Sequence, residues 1–384
     1  MHIVFAVADP HLPHLIGGGP MDIHHMALAL CSRQHEPTVV AALPGGRRRL
    51  GRYRLRQALS PGGLPVSRDV TNGYPTLRAA PWLVPRVLAE RIEHQRPDVV
   101  IVQGGGIERL APVAIEHGVP VVMRSIDTAS VELLAQAADR DPEVGSLLRS
   151  PLFTIVSISD YVGGRVRDLL GLSSTVIRPL IRVEDSVARP RRPEHITFVN
   201  PIPFKGLTVA LRVAALLPQR RFLFAEAWNR PAWQRKELGR ALAAVPNVTF
   251  RQRSTGLSDV YRSTALVLMP SQGPEGFGRV VIEAGINGIP VVASRVGGLP
   301  EALGTSGVLL DAGDPAERWA ESIEQILSTP ENYSRFEAAA LANARREELQ
   351  ENVITRRFLE VCAALSDPAA GPRRAAGKAS PGSG

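Results

Sequence analysis

Two glutamates with seven residues between them, Glu275 and Glu283, bracket a glycine-rich stretch, Gly276-Phe-Gly278. If both were helical they would lie about 80° apart in azimuth and roughly 12 Å apart along the axis, too far to share one substrate atom. Glu275 is therefore expected in a loop, with Glu283 about 7 Å up a helix that begins near Gly278. Backbone N–H groups of Gly276, Phe277 and Gly278 would then lie unpaired at a helix N-terminus, where the dipole attracts anions, phosphates above all. Carboxylates accept bidentate hydrogen bonds from adjacent hydroxyls. The spacing suits one carboxylate on each side of a diphosphate.

The elements that position this pair follow from the flanking residues. The apolar run 265–269, Ala-Leu-Val-Leu-Met, predicts a buried parallel strand. A helix over about 278–287 ends at Gly288, and Ile289-Pro-Val-Val-Ala293 predicts the next strand. Strand, open loop, helix and strand make one βαβ unit.

Glu275-Gly-Phe-Gly-x4-Glu283-Ala, with Pro270-Ser271, Gly288-Ile-Pro-Val-Val and Gly297-Gly298 around it, resembles the Glu-x7-Glu signature of retaining, nucleotide-sugar-dependent glycosyltransferases of the GT-B fold, family 4 (glycosyl transferases group 1). The resemblance is strongest over 247–314. It implies transfer of a sugar from a nucleoside diphosphate to an acceptor hydroxyl, with retention at the anomeric carbon. It implies that Glu283 holds a ribose and Glu275 a sugar hydroxyl, with Gly276, Phe277 and Gly278 at the diphosphate. Phe198-Val-Asn-Pro-Ile-Pro-Phe-Lys-Gly206 is similar to the family's Gly-Arg-x4-Lys-Gly element, whose two cations neutralise that diphosphate. Lys205 matches, whereas Asn200 stands where the Arg is expected and brings no charge. On this reading Lys205 has no understudy, and Asn200→Arg would tighten nucleotide binding.

Other candidates are less defined. Gly17-Gly18-Gly19 forms a turn before a helix near Met21, and glycines there let a phosphate approach; the resemblance puts Gly18 and Gly19 beside the donor diphosphate. Asp127 is either a polar contact near the donor sugar or acceptor or the N-cap of a helix starting near Thr128. Arg279 either assists the phosphates or is an exposed helix arginine. His24 and His25 are core or crevice-lining, with His24 able to touch the acceptor, and neither has a metal-ligating partner at i+3 or i+4. No Asp-x-Asp pair precedes the site and no metal or other cofactor is expected. Gly-x-Ser-x-Gly, His-Glu-x2-His and P-loop motifs are absent.

The whole chain sets the bounds. It has 384 residues, 44 % of them hydrophobic, a formal charge of +8 and a pI near 10.1. The excess charge is local, at Arg47 to Arg56, Arg189 to Arg192 and the tail, and tyrosine and tryptophan are few, so nucleic-acid binding is not expected. Weak attraction to an anionic membrane remains compatible with it. No apolar run approaches the roughly 18 residues that span a bilayer, and the N-terminus is too short for a signal. Cys31 and Cys362 lack metal or redox spacing and are expected as buried thiols in a reducing cytoplasm.

Strand patterns at 3–8, 38–43, 99–103, 119–124 and 153–157 alternate with helical ones at 21–33, 81–95, 108–117 and 160–170. That alternation predicts an α/β doubly wound parallel sheet. Residues 45–73, with three Gly-Gly or Pro-Gly breaks, predict a mobile loop. A second alternating set starts at His195. The expected layout is a Rossmann-like acceptor-side domain (1–183), a linker (184–194), a Rossmann-like donor-binding domain (195–345), a C-terminal helix crossing back onto the first domain (346–366), and a disordered tail (367–384). Two such facing domains are the GT-B architecture. A GT-B sugar-nucleotide epimerase and a non-catalytic partner subunit are the competing functions; the acceptor, whether polysaccharide, lipid-linked sugar or small natural product, is not specified by these residues.

Overall fold

The computed structural model describes residues 1–45, 66–228, 232–252 and 257–366. Arg47 to Arg56, most of the expected loop at 45–73, and the tail at 367–384 lie outside the described residues.

The first sheet contains β1 (His2–Pro10), β2 (Glu36–Ala42), β3 (Ser67–Asp69), β4 (Thr76–Ala79), β5 (Val99–Gln103), β6 (Val121–Ser125), β7 (Phe153–Ser157) and β8 (Thr175–Val176), in the order β3-β4-β2-β1-β5-β6-β7-β8. Every pairing is parallel except β3 with β4. Helices cover both faces, so the strands are apolar on both sides rather than alternating. Val4, Ala6, Val100 and Val102 enter one core. Ile3, Phe5, Val99 and Ile101 enter the other, which the helices Gly18–Cys31 and Glu351–Ser366 close through Ile23, Leu30, Ile354 and Phe358.

The second sheet, β9 (His195–Val199), β10 (Arg221–Ala225), β11 (Val248–Arg251), β12 (Thr264–Met269), β13 (Val291–Ser294) and β14 (Val308–Leu310), is parallel in the order β11-β10-β9-β12-β13-β14. Strand order reverses between β1 and β5 in the first sheet and between β9 and β12 in the second. Ligand crevices open at the carboxyl ends of strands at such switch points. A third core joins the two halves: Ile158, Val162 and Ile181 of the first domain, and Ala188 of the connecting segment, pack with Phe277, Val281 and Leu299 of the second.

Three expectations are corrected. The region before Gly73 is not all loop, because β3 lies within it and pairs with β4, beyond Gly73, as an edge hairpin; Arg78 on β4 is buried with Asp69 of β3 as its 2.7 Å partner, a pairing that apolar periodicity does not register. The C-terminal helix expected over 346–366 begins only at Glu351, as Glu351–Ser366, and a separate helix, Pro330–Ala344, precedes it. They part where Arg346 leaves the helical region and its guanidinium donates to the carbonyls of Glu301 and Ala302. Cys362 is buried, but Cys31 is only half-buried.

Candidate active site

The carboxyl ends of both sheets face one cavity of about 1210 Å³ between the domains. The loop after β12 forms part of its second-domain wall. Gly278, at φ +111°, turns the chain from that loop into the helix Arg279–Ile286. The N–H groups of Gly276, Phe277 and Gly278 make no hydrogen bond among the described residues. They line the cavity at the start of that helix, as an anion site requires.

Lys205 and Glu275 meet directly. The ammonium lies 2.5 and 2.6 Å from the two carboxylate oxygens, and Ser271 donates to the same carboxylate at 2.7 Å. Lys205 sits in a 3₁₀ turn, Pro203–Lys205, just ahead of the helix Leu207–Leu216. The Trp228 ring covers its other side, with its centroid 5.2 Å from the ammonium. Both ends of the ion pair line the cavity.

Glu283 projects from the first turns of its helix, and Tyr261 donates its hydroxyl to it at 2.8 Å. Burial and the neighbouring Glu283 charge hold the Tyr261 phenol well above its ordinary pKa, so it stays a donor. Arg279 is not an exposed helix arginine. It donates to the Leu180 carbonyl at 2.9 Å and contacts His25 Nδ1 at 3.2 Å, tying the second domain to the first, with Glu283 3.8 Å away. His25 is buried, and burial with the Arg279 charge pushes its pKa down to about 3. Its Nδ1 meets three groups, the Leu180 carbonyl at 3.1 Å, the Arg279 guanidinium at 3.2 Å and the Arg182 N–H at 3.3 Å, and its Nε2 lies 3.4 Å from Asp185.

On the first-domain side the helix begins at Gly18, so Gly18 and Gly19 form its first turn rather than a preceding loop. Gly17 is extended, and its carbonyl already accepts the Met21 N–H at 3.1 Å. All three glycines line the cavity. Asp127 lines it too, yet one of its oxygens caps the helix Thr128–Arg140 by accepting the Ser130 N–H at 2.7 Å. His24 faces the cavity with Nδ1 3.0 Å from the Tyr74 hydroxyl, and burial lowers its pKa.

Asn200 is held at φ +57° and buried, and its carboxamide oxygen accepts the N–H groups of Ala227 and Trp228 at 2.8 and 2.9 Å. It shapes the turn after β10 and puts Trp228 over Lys205. Sequence reasoning missed Tyr261, Trp228, Ser159 and Glu301. Each acts through a contact to a distant segment, and no local spacing signals it. Among the described residues no group of three or more His, Cys, Asp or Glu is arranged to hold a metal ion.

Two facing Rossmann-like domains around an interdomain cleft define the GT-B fold. The Anabaena protein HepE, solved with UDP-glucose, superposes with a TM-score of 0.72 at 17 % identity, over 95 % of this chain and 100 % of that one. Residues 193–329 match the family model described as glycosyl transferases group 1, and the chain contains a domain of that family. Similar curated proteins are D-inositol 3-phosphate glycosyltransferases. That of Segniliparus rotundus is 44 % identical over 109 residues, 27 % of this chain and 24 % of the relative. That of Mycolicibacterium smegmatis is 38 % identical over 161 residues, 40 % of this chain and 35 % of the relative. The matched stretches thus span about a quarter to a third of those relatives' lengths.

Proposed function

We propose that this protein is a retaining glycosyltransferase that moves a sugar from a nucleoside diphosphate to an acceptor hydroxyl. The observation that carries the reading is the convergence, in one interdomain cavity, of Lys205, the three unpaired N–H groups of Gly276–Gly278, and the Glu283–Tyr261 pair. Breaking the bond between sugar and diphosphate concentrates negative charge on the leaving phosphates. Fixed donors aimed at that charge stabilise the transition state without reorganising, often the largest catalytic effect available.

In this proposal Lys205 exchanges Glu275 for the diphosphate as the donor enters. Glu275, released, accepts from hydroxyls of the transferred sugar. Glu283, oriented by Tyr261, takes the ribose hydroxyls. Gly18 and Gly19 bring the first helix's N-terminus to the phosphates from the other side. Arg279 holds the domains in register, and Asp127 and His24 border the acceptor. The likeness to HepE with bound UDP-glucose supports a uridine-type donor. The relatives' names supply a phosphorylated cyclitol as one acceptor to test. Charge neutralisation by Lys205 and backbone donors lets the reaction proceed without a metal, and a cytoplasmic setting, at the inner membrane face when the acceptor is lipid-linked, belongs to the same proposal. Among the described residues no helix is long and apolar enough to cross a membrane.

Incubation with UDP-glucose and candidate acceptors, followed by mass spectrometry and NMR of the anomeric centre, tests this. A glycosylated acceptor with the donor's anomeric configuration is expected. An inverted product would remove retention, and rearranged free sugar formed without acceptor would turn the reading to an epimerase.

A further inference from the structure

The donor loop is clamped from both sides, and the clamp crosses the domain boundary. Within the second domain, Gly298 donates its N–H to the Glu275 carbonyl at 2.8 Å. A Cβ at Gly297 would lie 2.2 Å from that same carbonyl oxygen, so the loop backbone rests directly on the Gly297-Gly298 turn. From the first domain the Ile126 carbonyl meets Gly276 so closely that a Cβ there would lie 2.1 Å from its oxygen.

The helix Asp160–Leu170 of the first domain completes the clamp. Ser159, its N-cap, accepts the Val162 N–H at 3.0 Å and donates its hydroxyl to the Gly276 carbonyl at 2.6 Å. The first two helical N–H groups, of Asp160 and Tyr161, go instead to the carboxylate of Glu301 in the second domain, at 2.8 and 2.7 Å. Glu301 also pairs with Arg178 at 2.6 Å, and Arg178 joins Asp160 at 2.8 Å and lies over the Phe277 ring at 5.4 Å. Unpaired N–H groups at a helix start need an acceptor, and a carboxylate is favoured there by the dipole. In this helix the acceptor for two of them comes from the other domain, two residues beyond Leu299, where the turn under the donor loop becomes helical.

We infer that Glu301, with Ser159, forms a cross-domain helix cap that sets the donor loop in register against the first domain. Glu301 is then a positioning residue for transfer. It touches neither donor nor acceptor, and this role rests on the glycosyl-transfer reading. With the cap broken, the second domain keeps its nucleotide contacts, but the donor sugar no longer meets the acceptor wall at the right distance. Misplacement by about 1 Å can cost on the order of 10²-fold in rate.

The test compares full-length wild type, Glu301→Ala, Glu301→Gln and Ser159→Ala by three measurements: UDP affinity by calorimetry, steady-state kinetics with UDP-glucose, and radius of gyration by X-ray scattering. Expected for Glu301→Ala are UDP affinity within about threefold of wild type, kcat lower by about tenfold or more, and a larger radius. Glu301→Gln keeps an acceptor oxygen and should recover part of both changes. Unchanged kcat and radius, with only a lower melting temperature, would overturn the inference. So would a loss of UDP affinity at constant radius. If Glu301→Ala fails to fold, Ser159→Ala must shift kcat and radius in the same direction or the inference falls. Should wild type bind no UDP-glucose, the glycosyl-transfer reading fails while the scattering comparison still decides whether the cap holds the domains.

Discussion

The Lys205 ammonium touches both oxygens of the Glu275 carboxylate, at 2.5 and 2.6 Å, so the cation assigned to the diphosphate and the anion assigned to the sugar neutralise each other. Lys205→Ala should therefore have two effects. It removes an interaction that strengthens as the phosphate leaves, lowering kcat by about 10²-fold or more. It also leaves Glu275, only 11 % exposed, without a cation. Steady-state kinetics at saturating donor decide it: a near-normal kcat in folded protein would end the phosphate role of Lys205.

Asn200→Arg, which the missing charge suggests as an improvement, should instead damage the protein. The carboxamide oxygen serves two backbone N–H groups and the backbone is left-handed at φ +57°. Each N–H left without a partner costs about 1–3 kcal/mol, and a non-glycine strain of order 1 kcal/mol is better tolerated by asparagine than by arginine. Urea unfolding should show lower stability, and calorimetry no gain in UDP affinity. A tighter, equally stable variant would contradict this assignment of Asn200.

Tyr261→Phe should weaken nucleoside diphosphate binding by about five- to tenfold, because the hydroxyl orienting Glu283 is lost, worth about 1–1.5 kcal/mol. Glu283→Ala should cost more, about 1.5–3 kcal/mol for a charge-assisted bond to the ribose. If UDP affinity responds to neither, the ribose lies elsewhere.

The legible part of the site is the part encoded locally. The Glu-x7-Glu stretch shows its strands, its loop and its helix within one βαβ unit, and the structure places their ends within two residues of expectation. Asp127 was legible only as a choice, and the cap geometry shows that it serves the helix after β6 as well as lining the cleft. What stayed hidden depends on side chains meeting across long separations. Glu301 reaches Tyr161 over 140 positions, and Asn200 folds back on Trp228 over 28. The β3–β4 hairpin was hidden for a related reason: its buried position at Arg78 is polar, and Asp69 together with the carbonyls of His11 and Leu12 makes that burial tolerable.

Stability should fall in mild acid. The buried rings of His11 and His25 titrate near 3 in the folded chain, held there chiefly by burial, against 6.5 when unfolded. The unfolded chain therefore binds protons that the folded one refuses, so stability is full above about pH 6.5 and is lost as pH falls from there toward 3. The slope should be about 1.4 kcal/mol per pH unit for each histidine. Urea unfolding between pH 7.5 and 5 measures it, and His25→Gln should flatten it by about one proton. A flat profile over that range would show that the rings are protonated in the fold.

Phe358→Ala should undock the C-terminal helix from the first sheet. Its ring stacks on Phe5 at 6.5 Å between centroids and is buried with Ile354 and Cys362. A loss of about 3–5 kcal/mol is expected from the cavity left behind, read by thermal or urea unfolding.

We propose that the interdomain cavity binds a nucleoside diphosphate sugar through Lys205 and the Gly276–Gly278 amides. Isothermal titration of the full chain with UDP, ADP and GDP, each repeated on Lys205→Ala, decides it. One saturable site for at least one diphosphate is expected, with affinity lower by about tenfold or more in the variant, as for loss of a charged hydrogen bond. No binding of any of the three at millimolar concentration, or binding indifferent to Lys205, would contradict it.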